Sequence, residues 1–245
     1  SSDVCSSDLG FLNADEVAEL KTAVLDCVAQ MGKKKVGDGG KDQLEEGESH
    51  YDKVFTQRLN LWRMSPVVKR YMLNPGLGQM LRQLTGRQMR VWHDQTLIKE
   101  PFGNPTAWHL DNPYWSFFDA DSISIWIALE DATLENGCMW FIPGTHKHGR
   151  FDNAGIGVNM ADLFKIYPEM AKIDPVAVPM KAGDCSFHNG VLAHGAGANM
   201  TRKRRIAMTC AYMPDGATFN GQRNILPKDY FESLKVGDVL ANDDW

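Results

Sequence analysis

Apolar and polar positions fall into two textures along this chain. Up to about residue 85 apolar residues recur at helical spacing; from Met89 they come in short β-rich runs punctuated by Gly and Pro. Asn13-Ala-Asp-Glu16 has the form of a capping box. Val17, Leu20, Val24, Val28 and Met31 follow at helical spacing, so a helix is predicted over 14–31. Gly32 to Lys41 reads as a flexible loop whose three consecutive lysines form a solvated surface, and residues 42–50 are polar and acidic. Val67 to Leu84 predicts one or two short helices against the core, with Pro66 just ahead of the first. The β-rich runs are Met89–Leu97, Ser122–Leu129, Cys138–Ile142, Val176–Pro179, Asp184–His188 and Ile206–Tyr212. Many short strands with few helices between them indicate a sandwich or barrel. Residues 150–173 interrupt them as a longer insertion with a helical middle at Met160–Tyr167, the sort of excursion that lids a site.

Composition narrows this picture without redirecting it. A chain of 245 residues suffices for one sizeable core, and residues 10–245 read as a single domain. A net charge of -5 does not suit a protein that coats nucleic acid or an anionic membrane. No apolar run reaches the ~18 residues of a membrane-spanning helix. The five cysteines are scattered and odd in number, which reads as reduced thiols in a cytoplasmic protein. Ser2 to Leu9 reads as one frame of a widely used short-read sequencing adapter would. Residues 1–9 are therefore expected to be foreign to the protein or, failing that, a disordered polar tail, and they are left out of fold reasoning.

Two short segments carry the candidate chemistry. The first is His109-Leu-Asp111, within Trp108-His-Leu-Asp-Asn-Pro-Tyr-Trp115; the second is His194-Gly-Ala-Gly197, with Arg205 eleven residues after the histidine. Two histidines and a carboxylate can hold ferrous iron on one face and leave the opposite positions open. A His-x-Asp triplet alone means little, since about 0.6 are expected by chance at this composition. His188 and His194 both compete to be the second histidine, and their even separation means strand parity does not choose. His194 is favoured because the Gly-Ala-Gly after it lets backbone approach a ligand, and because it stands before an Arg-rich strand start. His188 then becomes a wall or supporting residue. Arg205, abutting the run Ile206–Tyr212, is the basic residue expected to point inward and grip a carboxylate.

The first segment, the stretch Ser124–Lys147 with Glu-Asn-Gly-Cys and Pro-Gly-Thr-His-Lys, and Gly183–Asn199 together resemble the phytanoyl-CoA dioxygenase family, in order and spacing, over roughly 90–215. The resemblance implies a mainly β fold with flanking helices: a double-stranded β-helix, or cupin-like jelly roll, with N-terminal helices packed on one sheet. It implies ferrous iron, dioxygen and 2-oxoglutarate as cosubstrate. By position His109, Asp111 and His194 would be the iron ligands and Arg205 would bind the distal carboxylate. Trp126 falls beside the cosubstrate, and Thr96 is a further cosubstrate candidate. Asn112, Tyr114, Trp115 and His188 are candidates for the substrate pocket. Ala196 replaces a serine common in the family two residues after the distal histidine. Asp111 argues for hydroxylation, since related halogenases lack the carboxylate. The reaction implied is hydroxylation of an unactivated C–H bond of a small molecule, with release of succinate and carbon dioxide. The alternatives are a cupin-like metal enzyme that does not use 2-oxoglutarate and a non-catalytic small-molecule-binding jelly roll.

Overall fold

The computed structural model describes residues 5–37, 45–47, 49–152 and 154–241. Three helices come early: α1 (Ala14–Met31), α2 (Pro66–Met72) and α3 (Pro75–Thr85). The capping box predicted for α1 is present: the Asn13 side chain accepts from Asp15 and Glu16, and Glu16 reaches back to the Asn13 N–H. Ser65 and Asn74 cap α2 and α3, each followed by a proline at the first helical position. Two short helices lie later, α4 (Leu163–Ile166) and α5 (Lys228–Ser233).

The strands are β1 (Cys5–Asp8), β2 (Thr56–Leu59), β3 (Met89–Lys99), β4 (Thr106–His109), β5 (Ile123–Ala128), β6 (Met139–Phe141), β7 (Val176–Val178), β8 (Cys185–Asn189), β9 (His194–Ala196) and β10 (Arg205–Pro214). They form a six-stranded sheet, β1-β8-β5-β10-β3-β2, and a four-stranded sheet, β4-β9-β6-β7. Every pairing is antiparallel. This is the two-sheet jelly roll of the double-stranded β-helix, with α1, α2 and α3 against the larger sheet. Cys5–Asp8, set aside in the sequence reading, runs as an edge strand beside β8, with Cys5 opposite His188. An uncovered edge offers a row of free backbone donors and acceptors, which those residues fill.

Period-two alternation divides the work of the large sheet. On β10, Ile206, Met208, Cys210 and Tyr212 join Leu20 and Val24 of α1, Val68 of α2 and Leu81 of α3 in the main core. Burying a leucine or valine of this kind stabilises by roughly 1.5–3 kcal/mol. The alternate residues, Arg205, Ala207, Thr209 and Ala211, turn toward the smaller sheet. The same rule sends Ser124 and Trp126 of β5 and Ser186 and His188 of β8 inward. Both faces of these strands are covered, which is why they are buried throughout. The 150–173 insertion docks Leu163, Tyr167 and Met170 against Leu110 and Ile142, behind the His109 segment.

Asp94 anchors the approach of β2 to this sheet. Its carboxylate accepts from the backbone N–H groups of Leu61 and Trp62, both at 2.7 Å, where a single 3-10 turn begins. Burial raises the pKa of Asp94 to about 7 even so.

One sequence expectation fails here. Lys33 and Lys34 are exposed, but Lys35 is half-buried, pairs with Asp52 and reaches the internal cavity. The loop expected to run to Lys41 is described only as far as Gly37, and its remainder lies outside the described residues.

Candidate metal centre

His109 ends β4, Asp111 follows in the turn beyond it, and His194 opens β9. The register of β4 on β9 sets His109 directly opposite His194, with ring centroids 4.2 Å apart. Each ring is fixed from behind: Nδ1 of His109 donates to the Ala107 carbonyl at 2.8 Å, and Nδ1 of His194 to the Leu192 carbonyl at 2.9 Å. A carbonyl only accepts, so both protons sit on Nδ1 and both Nε2 lone pairs are free. Those atoms lie 3.6 and 3.5 Å from Oδ1 of Asp111. One ligand atom from each of the three residues lies within 4.8 Å of the others. Three donors bonded at about 2.0–2.2 Å to one ion stand roughly 3 Å apart, so this trio needs only a small inward shift to close on a metal.

The electrostatics suit a divalent cation. Burial brings His194 down to about 3 and lowers His109 as well, so both imidazoles are neutral. Burial opposes ionisation of Asp111, but His194 and His188 outweigh it and hold the carboxylate below its ordinary range. Two neutral nitrogens and one anionic oxygen leave half an octahedron open.

His188 occupies a different place from His194. Its Nε2 lies 3.2 Å from Oδ2 of Asp111, and the Ser124 hydroxyl lies 3.4 Å from that same oxygen. The carboxylate is thus divided: Oδ1 faces the two imidazoles, and Oδ2 is held by His188 and Ser124.

A cavity of about 410 Å³ opens from this cluster. Beyond the three residues it is walled by Trp126, Tyr114, Trp115, His188, Thr209 and Ala196, among others. Arg205 lies at the start of β10 on the inward side, 1 % exposed, its guanidinium 5.2 Å from the centre of the Trp126 ring. Among the described residues, Nε and Nη1 of Arg205 are buried without hydrogen-bond partners, as are Nε1 of Trp126 and Oγ of Ser186. Trp126 and Ser186 are themselves cross-strand partners. Burial depresses the Arg205 pKa to about 10. Unpaired buried donors are costly and ask for a ligand; a carboxylate presented to one edge of the guanidinium would take up part of this unused donor capacity. The residues present therefore fit both an iron ion and a keto-acid cosubstrate.

A sequence model of the phytanoyl-CoA dioxygenase family matches residues 8–207. This chain belongs to that family. As a phytanoyl-CoA dioxygenase family member, it is 31% identical over 148 residues to a phytanoyl-CoA dioxygenase of Arabidopsis thaliana, covering 60% of this chain and 52% of that protein. It spans about half the length of such curated relatives. Among solved structures it resembles the non-heme alpha ketoglutarate dependent carbocyclase SnoK from nogalamycin biosynthesis, with TM-score 0.78, 26% identity, and coverage of 98% of this chain and 90% of that one. The epimerase SnoN, solved in complex with Fe3+, alpha ketoglutarate and nogalamycin RO, gives TM-score 0.75 at 25% identity, covering 98% and 92%.

Two expected site residues of this family member lie elsewhere. Thr96 does not line the cavity; its hydroxyl donates to the Ala207 carbonyl at 2.9 Å. Its neighbours Gln95 and Leu97 line the cavity instead, because one step along a strand reverses the face. Asn112 is fully buried away from the cavity. Its Oδ1 accepts from the Asp119 N–H, and its own N–H donates to the Gly190 carbonyl, which ties down the turn carrying Asp111.

Several cavity residues escaped the sequence reading: Lys35, Tyr51, Gln57, His93 and Gln95. Gln57 donates to Gln95 and to the Tyr51 hydroxyl, forming a polar wall. Burial takes His93 down to about 4, so it faces the cavity neutral. Alternation along the run from Met89 would have pointed to His93 and Gln95; nothing local marks Lys35 or Gln57.

Proposed function

We propose that this chain is a ferrous iron- and 2-oxoglutarate-dependent dioxygenase that hydroxylates an unactivated C–H bond of a small molecule, releasing succinate and carbon dioxide. The observation that carries this reading is the pairing of the His109, Asp111 and His194 cluster in the cavity with a buried Arg205 behind its wall, whose guanidinium lies 5.2 Å from the ring of the cavity-lining Trp126 and has two nitrogens without hydrogen-bond partners among the described residues. A cupin-like metal enzyme without a keto acid would have no use for the arginine, and a mere binding protein none for the cluster. Family membership and neighbours solved with iron and alpha ketoglutarate support the same assignment.

His109, Asp111 and His194 would hold the metal, with His188 and Ser124 steadying the free carboxylate oxygen. Iron with 2-oxoglutarate supplies, when bound, the oxidant that takes hydrogen from a substrate C–H bond. Arg205 grips the distal carboxylate with two parallel N–H donors and so fixes the keto end toward the metal. The aromatic walls of Trp126, Tyr114 and Trp115 exclude water. Gln57, Gln95 and Tyr51 offer polar contacts on the cavity wall, where a small substrate would be oriented. Four buried thiols, Cys27, Cys138, Cys185 and Cys210, suit a reducing cytoplasm. No described helix is long and apolar enough to cross a membrane.

The test is a substrate screen with ferrous iron, 2-oxoglutarate and oxygen, reading succinate and product mass. Succinate coupled to a product heavier by one oxygen supports hydroxylation. Product of unchanged mass, or lighter by two hydrogens, would place the chain with outcomes such as epimerisation or ring closure. Succinate formation that persists undiminished in Asp111→Ala would reject the metal assignment.

A further inference from the structure

Arg205 is not the only buried cation behind the cavity wall: neither it nor Lys99 lines the cavity, but each packs on residues that do, Arg205 on Trp126 and Lys99 on Thr106 and Phe55. Lys99, the last residue of β3, is the direct cross-strand partner of Arg205. Lys99 is fully buried and Arg205 nearly so. Like charges directly opposite on a sheet destabilise it, and among the described residues neither has a carboxylate within ion-pair distance. Glu130, the carboxylate whose charge reaches Arg205, is already engaged by Lys21 and the Ile206 N–H. Burial, with Arg205 adding to it, depresses the Lys99 pKa to about 7.

The side chain of Lys99 runs toward the cavity wall. It shares the strand face of His93, Gln95 and Leu97, all of which line the cavity. Its Nζ donates to the Asn104 carbonyl at 2.6 Å, stands 3.5 Å from the Thr106 hydroxyl and sits 4.7 Å from the centre of the Phe55 ring. An ammonium carries three N–H donors, so at least one remains to give. Gly137 clears its path: a Cβ there would come within 2.8 Å of the Lys99 Cδ and 2.5 Å of the Gly197 carbonyl. Thr106 is the cross-strand partner of Ala196, and both line the cavity. The lysine therefore meets the wall opposite the position where this chain has a methyl group and no hydroxyl.

We propose that Lys99 is a second cationic anchor, beside Arg205, for the distal carboxylate of the 2-oxo acid. The inference rests on the 2-oxoglutarate reading above. It accounts for two opposed buried cations by giving them one anion to share.

The test measures binding, not turnover. Protein loaded with Mn(II) is titrated calorimetrically with 2-oxoglutarate and with 2-oxopentanoate, the same keto acid with a methyl group replacing the distal carboxylate. The proteins are wild type, Lys99→Met and Lys99→Gln; glutamine keeps a donor for the Asn104 carbonyl and guards against a methionine variant that does not fold. A lost charge-assisted hydrogen bond predicts 2-oxoglutarate binding weaker by about 10- to 100-fold in both variants, with 2-oxopentanoate affinity within about twofold of wild type. Unchanged 2-oxoglutarate affinity overturns the proposal. Equal weakening of both ligands also overturns it, since that is what a merely structural lysine would do. Wild-type protein that holds Mn(II) and does not bind 2-oxoglutarate overturns the cosubstrate reading itself, and this inference with it.

Discussion

Replacing Arg205 with methionine should weaken ligand binding and strengthen the ligand-free fold at the same time. Two guanidinium nitrogens, Nε and Nη1, are buried without partners among the described residues. A carboxylate gripped along one edge of the guanidinium, by Nη2 together with Nε or with Nη1, loses two charge-assisted hydrogen bonds in this variant, about 3–6 kcal/mol in all. That corresponds to roughly a 10²- to 10⁴-fold weaker 2-oxoglutarate complex. Without ligand the sign reverses. The desolvated cation faces Lys99 across the strand pair, and among the described residues only its contact with the Trp126 ring and the distant Glu130 offset its burial. Methionine has similar volume and can rest on Trp126, so Arg205→Met should leave ligand-free stability unchanged or raise it by about 1–4 kcal/mol. Calorimetric titration gives the first quantity and denaturant unfolding of the metal-free protein the second. The reasoning is refuted by a variant that binds 2-oxoglutarate like wild type and is destabilised by more than about 2 kcal/mol, the behaviour of a structural arginine whose partner has been orphaned.

Other perturbations separate the remaining roles. His188→Gln should keep one iron per chain but bind it about 10-fold more weakly, because His188 holds the outer carboxylate oxygen; metal analysis showing no bound iron would make it a ligand. Thr96→Val should cost about 1 kcal/mol of stability through the lost bond to Ala207 and leave 2-oxoglutarate affinity alone; a tenfold affinity loss would return Thr96 to the pocket. Asp94→Ala orphans the N–H groups of Leu61 and Trp62 and should destabilise by about 2–5 kcal/mol in denaturant unfolding, with metal binding intact. For Lys99 the pKa falls from 10.5 to about 7 in the ligand-free fold. The unfolded chain therefore binds more protons between those values, and stability should rise with pH across that window. The charged group facing it is Arg205; Thr106, Phe55, Asn104 and Gly137 around it carry no charge. Unfolding curves at several pH values should show that rise flattened in Lys99→Met.

Much of this molecule is written locally, and the rest depends on contacts that no local pattern encodes. The first helix was legible because its apolar stripe lies within eighteen consecutive residues and its cap immediately precedes them. The long strands were legible as β-rich runs. Thr106–His109 and His194–Ala196 were not, being four and three residues long with too little alternation to read. These are the strands that bring His109 and His194 face to face. The competition between His188 and His194 was undecidable by parity, since both point into the same interior; they differ because they sit on opposite sheets. Thr96 was misplaced by one residue of register. Lys35 looked solvated because a lysine run cannot announce that Asp52, seventeen residues later, will draw one member inward.

The central claim is that iron and 2-oxoglutarate meet at His109, Asp111 and His194. Its most direct test is anaerobic addition of ferrous iron and then 2-oxoglutarate to the purified protein, followed in the visible spectrum. The account predicts a metal-to-ligand charge-transfer band that saturates at one equivalent of each, and that disappears in Asp111→Ala and His194→Ala. A wild-type protein that binds iron and shows no band with 2-oxoglutarate, or a band that survives in both variants, would contradict it.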